Sequence, residues 1–336
     1  MCAGELCGMM HTDEGRPDGG WIRVRVPLPF SLKYVNAYLV PERDGWTLVD
    51  PGLRTPEAER LWREVLERSG IGFREIRAIV LTHPHPDHIG LAGWFQERSR
   101  APVYMSGRAH AYAMRLWGPE RTFTDELPAL YREHGLPREM EEALRDHLEG
   151  FVAMVSPLPE PVFIQGGDRL EVGGKGWEIL DTPGHADGHL CFYLREERRL
   201  LCGDQVLNGI TPNISLVPGG EPGVLARYLD SLASLEKLEV ELALPGHRDP
   251  IRDMRGRIGE IREHHVRRLE AMEAMLETPL TAFEVCMQLF GGRVNGSMHH
   301  LRFAMSETLA HLEHLAREGR AASARGADDI VRWKRG

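Results

Sequence analysis

The chain has 336 residues, of which 42% are hydrophobic and 27% charged, and its formal net charge is −9. This composition is typical of a globular protein long enough for one large domain or two smaller ones. The acidic balance excludes a global basic field that would attract nucleic acid or acidic lipid. No apolar run approaches the roughly 20 residues that a bilayer-spanning helix requires.

Residues 1–20, "MCAGELCGMMHTDEGRPDGG", have neither the basic start nor the apolar stretch of a signal peptide. We interpret them as a disordered leader and expect a cytoplasmic protein. The five cysteines are few, odd in number and scattered, which argues against a disulfide framework. Cys2 and Cys7, two lone thiols on such a tail, are not expected to bind metal.

The segments "WIRVRVPLPF", "VNAYLV" and "GWTLVDPG" are short, apolar and broken by Pro, Asp and Gly, which predicts paired strands. Thr55 is a candidate N-cap with Pro56 at the first helical position, so a helix is predicted through about Ser69. "IRAIVL" is a short buried strand that ends at a histidine cluster, and "LAGWFQER" after that cluster predicts the next helix.

The character of the chain changes over residues 108–160, where helical segments are punctuated by Pro and Gly without a strand pattern. Strands return at "DRLEV", "WEILDTPGH", "LCFYLRE" and "RRLLCGD". The sequence therefore predicts one α/β domain over residues 21–255, with a helical insertion in its middle.

Beyond Pro250 a helix, a second helix, a third helix and a hairpin turning near Gly326 are predicted, which is the order of a winged-helix domain over residues 256–336. The first helix has an apolar stripe of Ile258, Ile261, Val266, Leu269, Met272 and Leu276. The stripe of the last helix is Leu301, Met305, Leu309, Leu312 and Leu315. Beside this second stripe are residues at metal-like spacing that we interpret as a solvated face: Glu307, His311, His314 and Glu318.

Residues 81–90, "LTHPHPDHIG", crowd three imidazoles and a carboxylate into six positions. In an extended loop, residues two apart point to the same side, so His83 and His85 can converge. Asp87 and His88 follow and can face a second point nearby, while the two prolines stiffen the loop. Imidazole suits Zn, Fe or Mn, and the carboxylate adds charge that favours a second cation.

One loop cannot complete a metal site, and three later strand ends supply candidate ligands. His185 follows a strand in "DTPGH", Asp204 follows one in "LLCGD", and His247 follows one in "ALPGH". Glycine before each of them lets the backbone come close to a shared point. These side chains are therefore expected to meet at one end of a sheet.

The motifs "HPHPDH", "PGH", "GD" and "PGH", in this order, resemble the ligand motifs of the metallo-β-lactamase superfamily over roughly residues 20–250. The resemblance implies a four-layer αβ/βα sandwich with a two-metal site at the sheet edge. It assigns Asp204 to bridge the two metals and Asp50 of "LVDPG" to orient a ligand histidine. It assigns the other ligands to the first metal, as His83, His85 and His185, and to the second, as Asp87, His88 and His247.

The resemblance implies a metal-dependent hydrolase in which a hydroxide held by two divalent cations attacks a small ester, thioester or lactone. Zinc is the expected metal, with iron or manganese as alternatives. Asp87 is a candidate catalytic residue that takes up a proton during turnover. We expect His189, which follows the first "PGH" turn, to have either a supporting role at the metals or a plain structural one.

Three alternatives stay open. A sandwich joined to a winged helix is similar to hydrolases grouped with glyoxalase II, one branch of which cleaves single-stranded RNA, so a ribonuclease or phosphodiesterase is the second hypothesis. The third is a mononuclear iron oxygenase using His83, His185 and Asp204. The fourth is a non-catalytic protein that binds nucleic acid through its winged helix.

The basic residues of the C-terminal segment, such as Arg268, Arg302 and Arg332, alternate with acidic ones, which weakens the case for nucleic acid as a partner. We favour a role for this segment in packing, in forming a homodimer or in walling the pocket. The other pocket wall is expected from aromatic residues of the insertion, which suit a partly apolar small-molecule substrate. These are Tyr112, Trp117, Phe123 and Tyr131.

Overall fold

A computed structural model describes residues 20–294 and 296–336 of the chain. The predicted leader, with Cys2 and Cys7, lies outside these residues except for Gly20, which is an exposed turn residue. Among the described residues, no helix combines the length and apolar character needed to cross a membrane.

The first sheet has six strands, which lie across the sheet in the same order as in the chain. The first three pair antiparallel as two hairpins, and the third to the sixth run parallel to one another. The strands are β1 (Ile22–Pro27), β2 (Tyr34–Glu42), β3 (Gly45–Val49), β4 (Ile76–Val80), β5 (Val103–Ser106) and β6 (Pro161–Ile164).

The helix predicted after Thr55 is confirmed as α1 (Pro56–Ser69). The Thr55 hydroxyl accepts a hydrogen bond from the amide of Ala58 at 3.1 Å, and Gly70 ends the helix in the left-handed conformation, with φ of 67°. Two further helices, α2 (Pro86–Ile89) and α3 (Ala92–Ser99), follow β4.

The segment predicted to be a helical insertion connects β5 to β6. Its helices are α4 (Gly107–Trp117), α5 (Phe123–Glu133) and α6 (Glu141–Glu149). All residues of this segment are described, and no strand occurs between Ser106 and Pro161. The helical character inferred from sequence is therefore observed.

The second sheet has five strands in the order β11-β10-β9-β8-β7, and only the β10–β11 pair is parallel. Helix α7 (Val224–Leu235) connects the two strands of that pair. The strands are β7 (Arg169–Val172), β8 (Lys175–Asp181), β9 (Leu190–Leu194), β10 (Arg199–Gly203) and β11 (Leu242–Pro245).

The two sheets face each other across an apolar layer to which both contribute. Val40, Val49 and Val80 come from the first sheet, and the second contributes Trp177 and Phe192. A larger apolar cluster joins the other faces of the sheets to the helices. Helices, sheet, sheet and helices thus make four layers, so the predicted αβ/βα sandwich is confirmed.

The C-terminal segment has the predicted succession of helices and hairpin, with one short additional strand. Its three strands form a separate antiparallel sheet in the order β12-β14-β13. The assignment as a winged helix, with a boundary near residue 255, stays a prediction. The elements are α8 (Met254–Met275), β12 (Leu280–Thr281), α9 (Ala282–Val294), α10 (Met298–Arg317), β13 (Ala321–Arg325) and β14 (Val331–Arg335).

Two predictions about the C-terminal helices are wrong. Val266, placed in the apolar stripe of α8, is 53% exposed, and the neighbouring His265 is buried instead. On α10, the side predicted to be solvated holds His311 and His314, both buried. The reason is tertiary: α10 packs against α8, and His265 Nδ1 lies 3.0 Å from His311 Nε2 across that contact.

Candidate metal centre

The predicted ligands are carried by strand ends of both sheets. The "HPHPDH" segment begins two residues after Leu81, just beyond β4 of the first sheet, and His185, Asp204 and His247 follow β8, β10 and β11 of the second. A Cβ atom added at Gly246 would lie 2.3 Å from Asp204 Oδ1, so only glycine lets this backbone pass so close to the centre.

The "HPHPDH" segment is extended in its first part and helical in its second. His85 is extended, as predicted, with φ of −64° and ψ of 147°. Pro86 then begins the short helix α2, and the amide of His88 donates to the carbonyl of His85 at 2.9 Å. Asp87 and His88 thus lie on a helical turn, not on the extended loop expected from the prolines, because proline is well suited to a first helical position.

Three ring nitrogens form the first group. His83 Nε2 and His185 Nε2 each lie 3.0 Å from His85 Nδ1. A second group is formed by Asp87, His88 and His247, with His247 Nε2 at 3.1 Å from Asp87 Oδ2. These two groups correspond to the sets that the resemblance implied, and a third group combines His83, His88 and Asp204.

Asp204 lies between the two groups. Its Oδ2 is 3.7 Å from His185 Nε2 and 3.4 Å from His247 Nε2, and its Oδ1 is 3.5 Å from His88 Nε2. One carboxylate therefore faces rings of both sets, which is the position required of a bridging ligand.

Hydrogen bonds behind the site fix the orientation of His83 and His88. The carboxylate of Asp50 accepts from the Thr82 amide at 2.8 Å, from the Thr82 hydroxyl at 2.7 Å and from His88 Nδ1 at 2.9 Å. Since the Thr82 hydroxyl donates to Asp50, it accepts from His83 Nδ1 at 2.9 Å. The predicted role of Asp50 in orienting a ligand histidine agrees with this geometry.

Backbone carbonyls orient two more rings in the same way. His185 Nδ1 donates to the carbonyl of Asn213 at 3.0 Å, and His247 Nδ1 donates to the carbonyl of Tyr34 at 2.8 Å. With each Nδ1 proton directed outward, the Nε2 atoms face the centre.

The inward-facing atoms have little else to bind. His88 Nε2 and Asp204 Oδ1 are both buried and without a hydrogen-bond partner in the described part of the chain. Buried polar atoms in proteins are almost always satisfied, and nitrogen lone pairs facing carboxylates are best satisfied by cations. The donor set therefore fits divalent metal ions.

The pKa values of the histidines also indicate that this site favours positive charge. Burial holds the pKa of His85 at about 3, so that ring is neutral and able to bind a metal. Burial also disfavours charge on His247, but Asp204 and Asp87 outweigh it and raise the pKa of His247 to about 10. Burial opposes a charged His88 too, yet Asp204 and Asp50 raise its pKa. Protons and metal ions thus compete for these two rings.

His189 supports the backbone of Asp204, whereas the sequence left its role undecided. The amide of Asp204 donates to His189 Nε2 at 3.3 Å, and His189 Nδ1 therefore donates to the hydroxyl of Thr182 at 2.8 Å. The ring is 1% exposed. It holds the backbone of Asp204 rather than facing the centre.

A second support comes from the C-terminal segment and was missed in the sequence. Asn213, whose carbonyl accepts from His185, donates through Nδ2 to Glu307 Oε2 at 2.8 Å. Arg268 Nη1 donates to Glu307 Oε1 at 2.8 Å. Glu307 was expected on a solvated face, and no sequence pattern links it to a residue of the loop after β10.

The candidate ligands open into a cavity of about 220 Å³. Its apolar walls include Leu28, Phe30, Phe151, Leu207 and Ile210, and helix α10 contributes His299, His300, Arg302 and Phe303. The predicted pocket-walling role of the C-terminal segment agrees with this arrangement. A hollow of about 420 Å³ beside Trp21 and Trp177 contains none of the candidate ligands.

The aromatic residues predicted to form the opposite wall are partly in place. Tyr112, Trp117 and Phe123 line a small hollow that also includes His85 and Arg302. Tyr131 does not line it: its hydroxyl donates to the carbonyl of Arg302 at 2.7 Å and also contacts the hydroxyl of Ser306. That tyrosine joins the insertion to α10 instead.

Comparison with known proteins agrees with this geometry. Residues 31–247 match the model of the metallo-β-lactamase superfamily, a range that contains all seven candidate ligands. The chain belongs to this superfamily. Residues 269–336 match a separate model, the C-terminal domain of metallo-β-lactamase-like proteins.

Relatives in the superfamily cover nearly the whole chain. A probable metallo-hydrolase of Bacillus subtilis is 32% identical over 88% of this chain and 92% of its own length. A crystal structure of a metallo-β-lactamase family protein from Thermus thermophilus superposes with a TM-score of 0.83 at 38% identity, covering 94% and 99% of the two chains. A hydroxyacylglutathione hydrolase of Haemophilus influenzae is 28% identical over 54% of this chain and 71% of its own. This superfamily member is a metallo-hydrolase.

Proposed function

We propose that this metallo-hydrolase cleaves a small ester, thioester or lactone with the help of two divalent cations. The observation that carries the proposal is the position of Asp204 between two complete donor groups, His83–His85–His185 and Asp87–His88–His247. A single-metal oxygenase would need only the first group and Asp204. An oxygenase of this kind would not account for a second donor group whose histidines are also oriented by hydrogen bonds.

When bound, two cations in such a site supply an activated water at neutral pH and polarise the oxygen of the bond under attack. Zinc is the proposed metal, with iron or manganese as alternatives. Asp50, Asn213 and Tyr34 keep the Nε2 atoms of the rings directed inward, so the donors need not reorganise on binding.

Asp87 is the proposed proton acceptor. It belongs to the second group, and it is the carboxylate of the centre that is more open to the cavity, with 18% of its side chain exposed against 8% for Asp204. In this position it can take a proton as water is activated and return it to the leaving group. Asp87→Asn is expected to retain metal but to lose activity.

The cavity favours a small substrate over a polymer. Most of its lining surface is apolar, which favours exclusion of water around the scissile bond and binding of an acyl or alkyl part. Several basic residues of the C-terminal segment pair with acids, as Arg332 does with Asp328 at 2.7 Å, which reduces the positive charge that the described part of this segment offers a phosphate backbone. One relative is named a hydroxyacylglutathione hydrolase. Because an acylglutathione is a thioester, thioesters are the first substrates to test.

Metal analysis and a substrate panel test the proposal together. Purified protein reconstituted separately with zinc, iron or manganese is expected to hold two equivalents per chain. The panel contains thioesters, lactones, esters and phosphodiesters, including single-stranded RNA. One equivalent of metal, or turnover of phosphodiesters alone, would contradict the proposal and favour the oxygenase or the nuclease respectively.

A further inference from the structure

Arg302, on the first turns of α10, lines the cavity that contains the candidate metal ligands. It also lines the adjoining hollow formed by the helical insertion. The side chain therefore lies where the C-terminal segment, the insertion and the metal centre meet. Any molecule that fills both hollows contacts it.

The charge of Arg302 is uncompensated. Among residues 20–294 and 296–336, no carboxylate forms an ion pair with its guanidinium, and no hydrogen bond from that group is found. Other arginines of the same segment are paired: Arg268 with Glu307 at 2.8 Å and Arg320 with Glu273 at 2.7 Å. Arg302 thus differs from its neighbours in the absence of an acidic partner.

Aromatic rings hold the guanidinium in place. Its Cζ lies 4.3 Å from the ring centroid of Phe303 and 5.6 Å from that of Phe151. Rings over the face of a guanidinium stabilise its charge but leave the N–H groups at its edge without acceptors. Burial lowers the pKa of Arg302, which reflects the cost of a partly desolvated charge.

The groups around Arg302 do not satisfy those N–H donors. His299 has a pKa of about 3, because it is buried and lies near Arg302 and His147, so it is neutral at physiological pH. The phenols of Tyr131 and Tyr112 act on Arg302 electrostatically, and the carboxylate that also acts on it is Asp87, a candidate metal ligand. Once a cation binds Asp87, that negative charge is shared, and Arg302 needs another anion.

We propose that Arg302 binds an anionic group of the substrate, a carboxylate or a phosphate, while the scissile bond lies at the metal centre. This inference rests on the proposed hydrolase function and names its substrate class: an ester or thioester with an apolar segment between the reacting carbonyl and an anionic end. The planar edge of a guanidinium matches the paired oxygens of a carboxylate or phosphate, so two parallel hydrogen bonds form.

The decisive experiment compares substrates that differ only in charge. S-glutaryl-N-acetylcysteamine is paired with its terminal carboxamide, which has nearly the same shape without the charge. S-butanoyl pantetheine, with and without its 4′-phosphate, tests a phosphate on the leaving group. For each pair, kcat/KM of the charged substrate is divided by that of the neutral one.

For the metal-loaded wild type, we expect this ratio to be about ten to a hundred in one of the two pairs, because a charge-assisted hydrogen-bond pair is lost with the neutral substrate. The pair that shows the preference identifies the anion. Arg302→Met is expected to bring the ratio close to one, and Arg302→Lys to give an intermediate value. Arg332→Met, which removes a surface arginine paired with Asp328, is the control and leaves the ratio unchanged.

An equal ratio in the wild type and in Arg302→Met, or wild-type ratios near one for both pairs, would overturn the inference. Neither result affects the hydrolase proposal, provided that the neutral thioesters are cleaved. If the wild type cleaves no thioester, the hydrolase proposal fails on this substrate class. Arg302 is then tested by glutarate binding to the metal-loaded protein, measured by calorimetry. About tenfold weaker binding by Arg302→Met supports the anion site, and unchanged binding refutes it.

Discussion

Among the described residues, histidines meet in two buried places, the candidate metal centre and the contact between α8 and α10. In the C-terminal contact, His311 Nδ1 donates to the carbonyl of Glu307 at 2.7 Å, so its Nε2 accepts from His265 Nδ1 at 3.0 Å. In this contact one ring is the donor and the other is the acceptor. At the candidate metal centre, four histidines donate through Nδ1 to groups behind the site and turn Nε2 inward: His83, His88, His185 and His247.

Charge separates the two places as well. Carboxylates raise the pKa of His88 and His247 at the centre, whereas burial and the neighbouring histidine hold the pKa of His265 at about 2. Among the described residues, neither His265 nor His311 forms an ion pair with a carboxylate, whereas the neighbouring His314 does, with Glu318. The comparison indicates that a metal site is marked by inward-facing ring nitrogens that lie opposite carboxylates. The number of histidines alone does not mark such a site.

Removing the shared carboxylate should have the largest effect. Asp204→Asn replaces the charge that faces both histidine groups with a neutral amide. We expect metal content to fall below two equivalents and kcat/KM to fall by more than about a hundredfold, the upper range seen for supporting residues. Metal analysis after dialysis and steady-state kinetics measure both. Glu171→Gln, on exposed edge strand β7, is the control. Retention of two metals at wild-type affinity would refute the bridging role.

Disturbing one outward hydrogen bond should have the next largest effect. In Asp50→Asn, an amide replaces the carboxylate that accepts from His88 Nδ1 and from Thr82. The orientation of His88 is then no longer fixed, and metal affinity should fall about ten- to a hundredfold. Competition with a chelating dye measures the affinity. Asp44→Asn, in an exposed turn, should bind metal normally, and equal affinities in the two variants would contradict the prediction.

The support from α10 should have a smaller effect. Glu307→Gln removes the charge that pairs with Arg268 and weakens the acceptor for Asn213, whose carbonyl orients His185. We expect metal affinity about tenfold lower, the lower end for such supporting groups. Glu318→Gln is the control. Glu318 lies just beyond the end of α10, and its side chain is 43% exposed. A loss of affinity in both variants, or in neither, would show that Glu307 does not act through His185.

The His265→Leu/His311→Leu double variant should leave metal content at the wild-type value. Burial depresses the folded-state pKa values of these rings to about 2 and about 3, so the folded protein keeps both neutral while the unfolded chain protonates them below about 6.5. Their contribution to stability is therefore complete above pH 6.5 and is lost as pH falls toward 3, by about 1.4 kcal/mol per pH unit for each ring.

Urea unfolding of the metal-free proteins at several pH values measures this slope. The double variant should lose less stability than the wild type between pH 7 and pH 5, because it lacks the two rings that are protonated on unfolding. Parallel pH profiles would show that these histidines are charged in the folded protein. A loss of metal would show that the two histidine sites are coupled after all.

The elements that sequence predicted best are those set by local chemistry. The cap of α1 at Thr55, the strands before each candidate ligand and the hairpin near Gly326 depend on neighbouring residues and were all observed. The seven candidate ligands came from motifs that strands and turns position locally. Their role as metal ligands stays a prediction, although the structure brings them together.

The elements that sequence did not predict depend on contacts between distant segments. Glu307 accepts a hydrogen bond from Asn213, which lies 94 positions earlier in the chain. Arg302 lines a cavity that also contains candidate ligands from the strand ends of the two sheets. In the sequence, both are ordinary polar residues of an amphipathic helix. Periodicity predicted the apolar stripe of α10 but could not show that the side next to the stripe is also covered.

The start of α10 forms part of the cavity wall, while every candidate ligand is held by the sandwich. Substitutions at positions 299, 300 and 303 can therefore reshape the cavity without moving a donor atom at its floor. Proteins descended from a common ancestor with this architecture are expected to keep one reaction while diverging in the compounds they consume. The identity of those three positions is then a better guide than the histidine motifs to which relatives share a substrate.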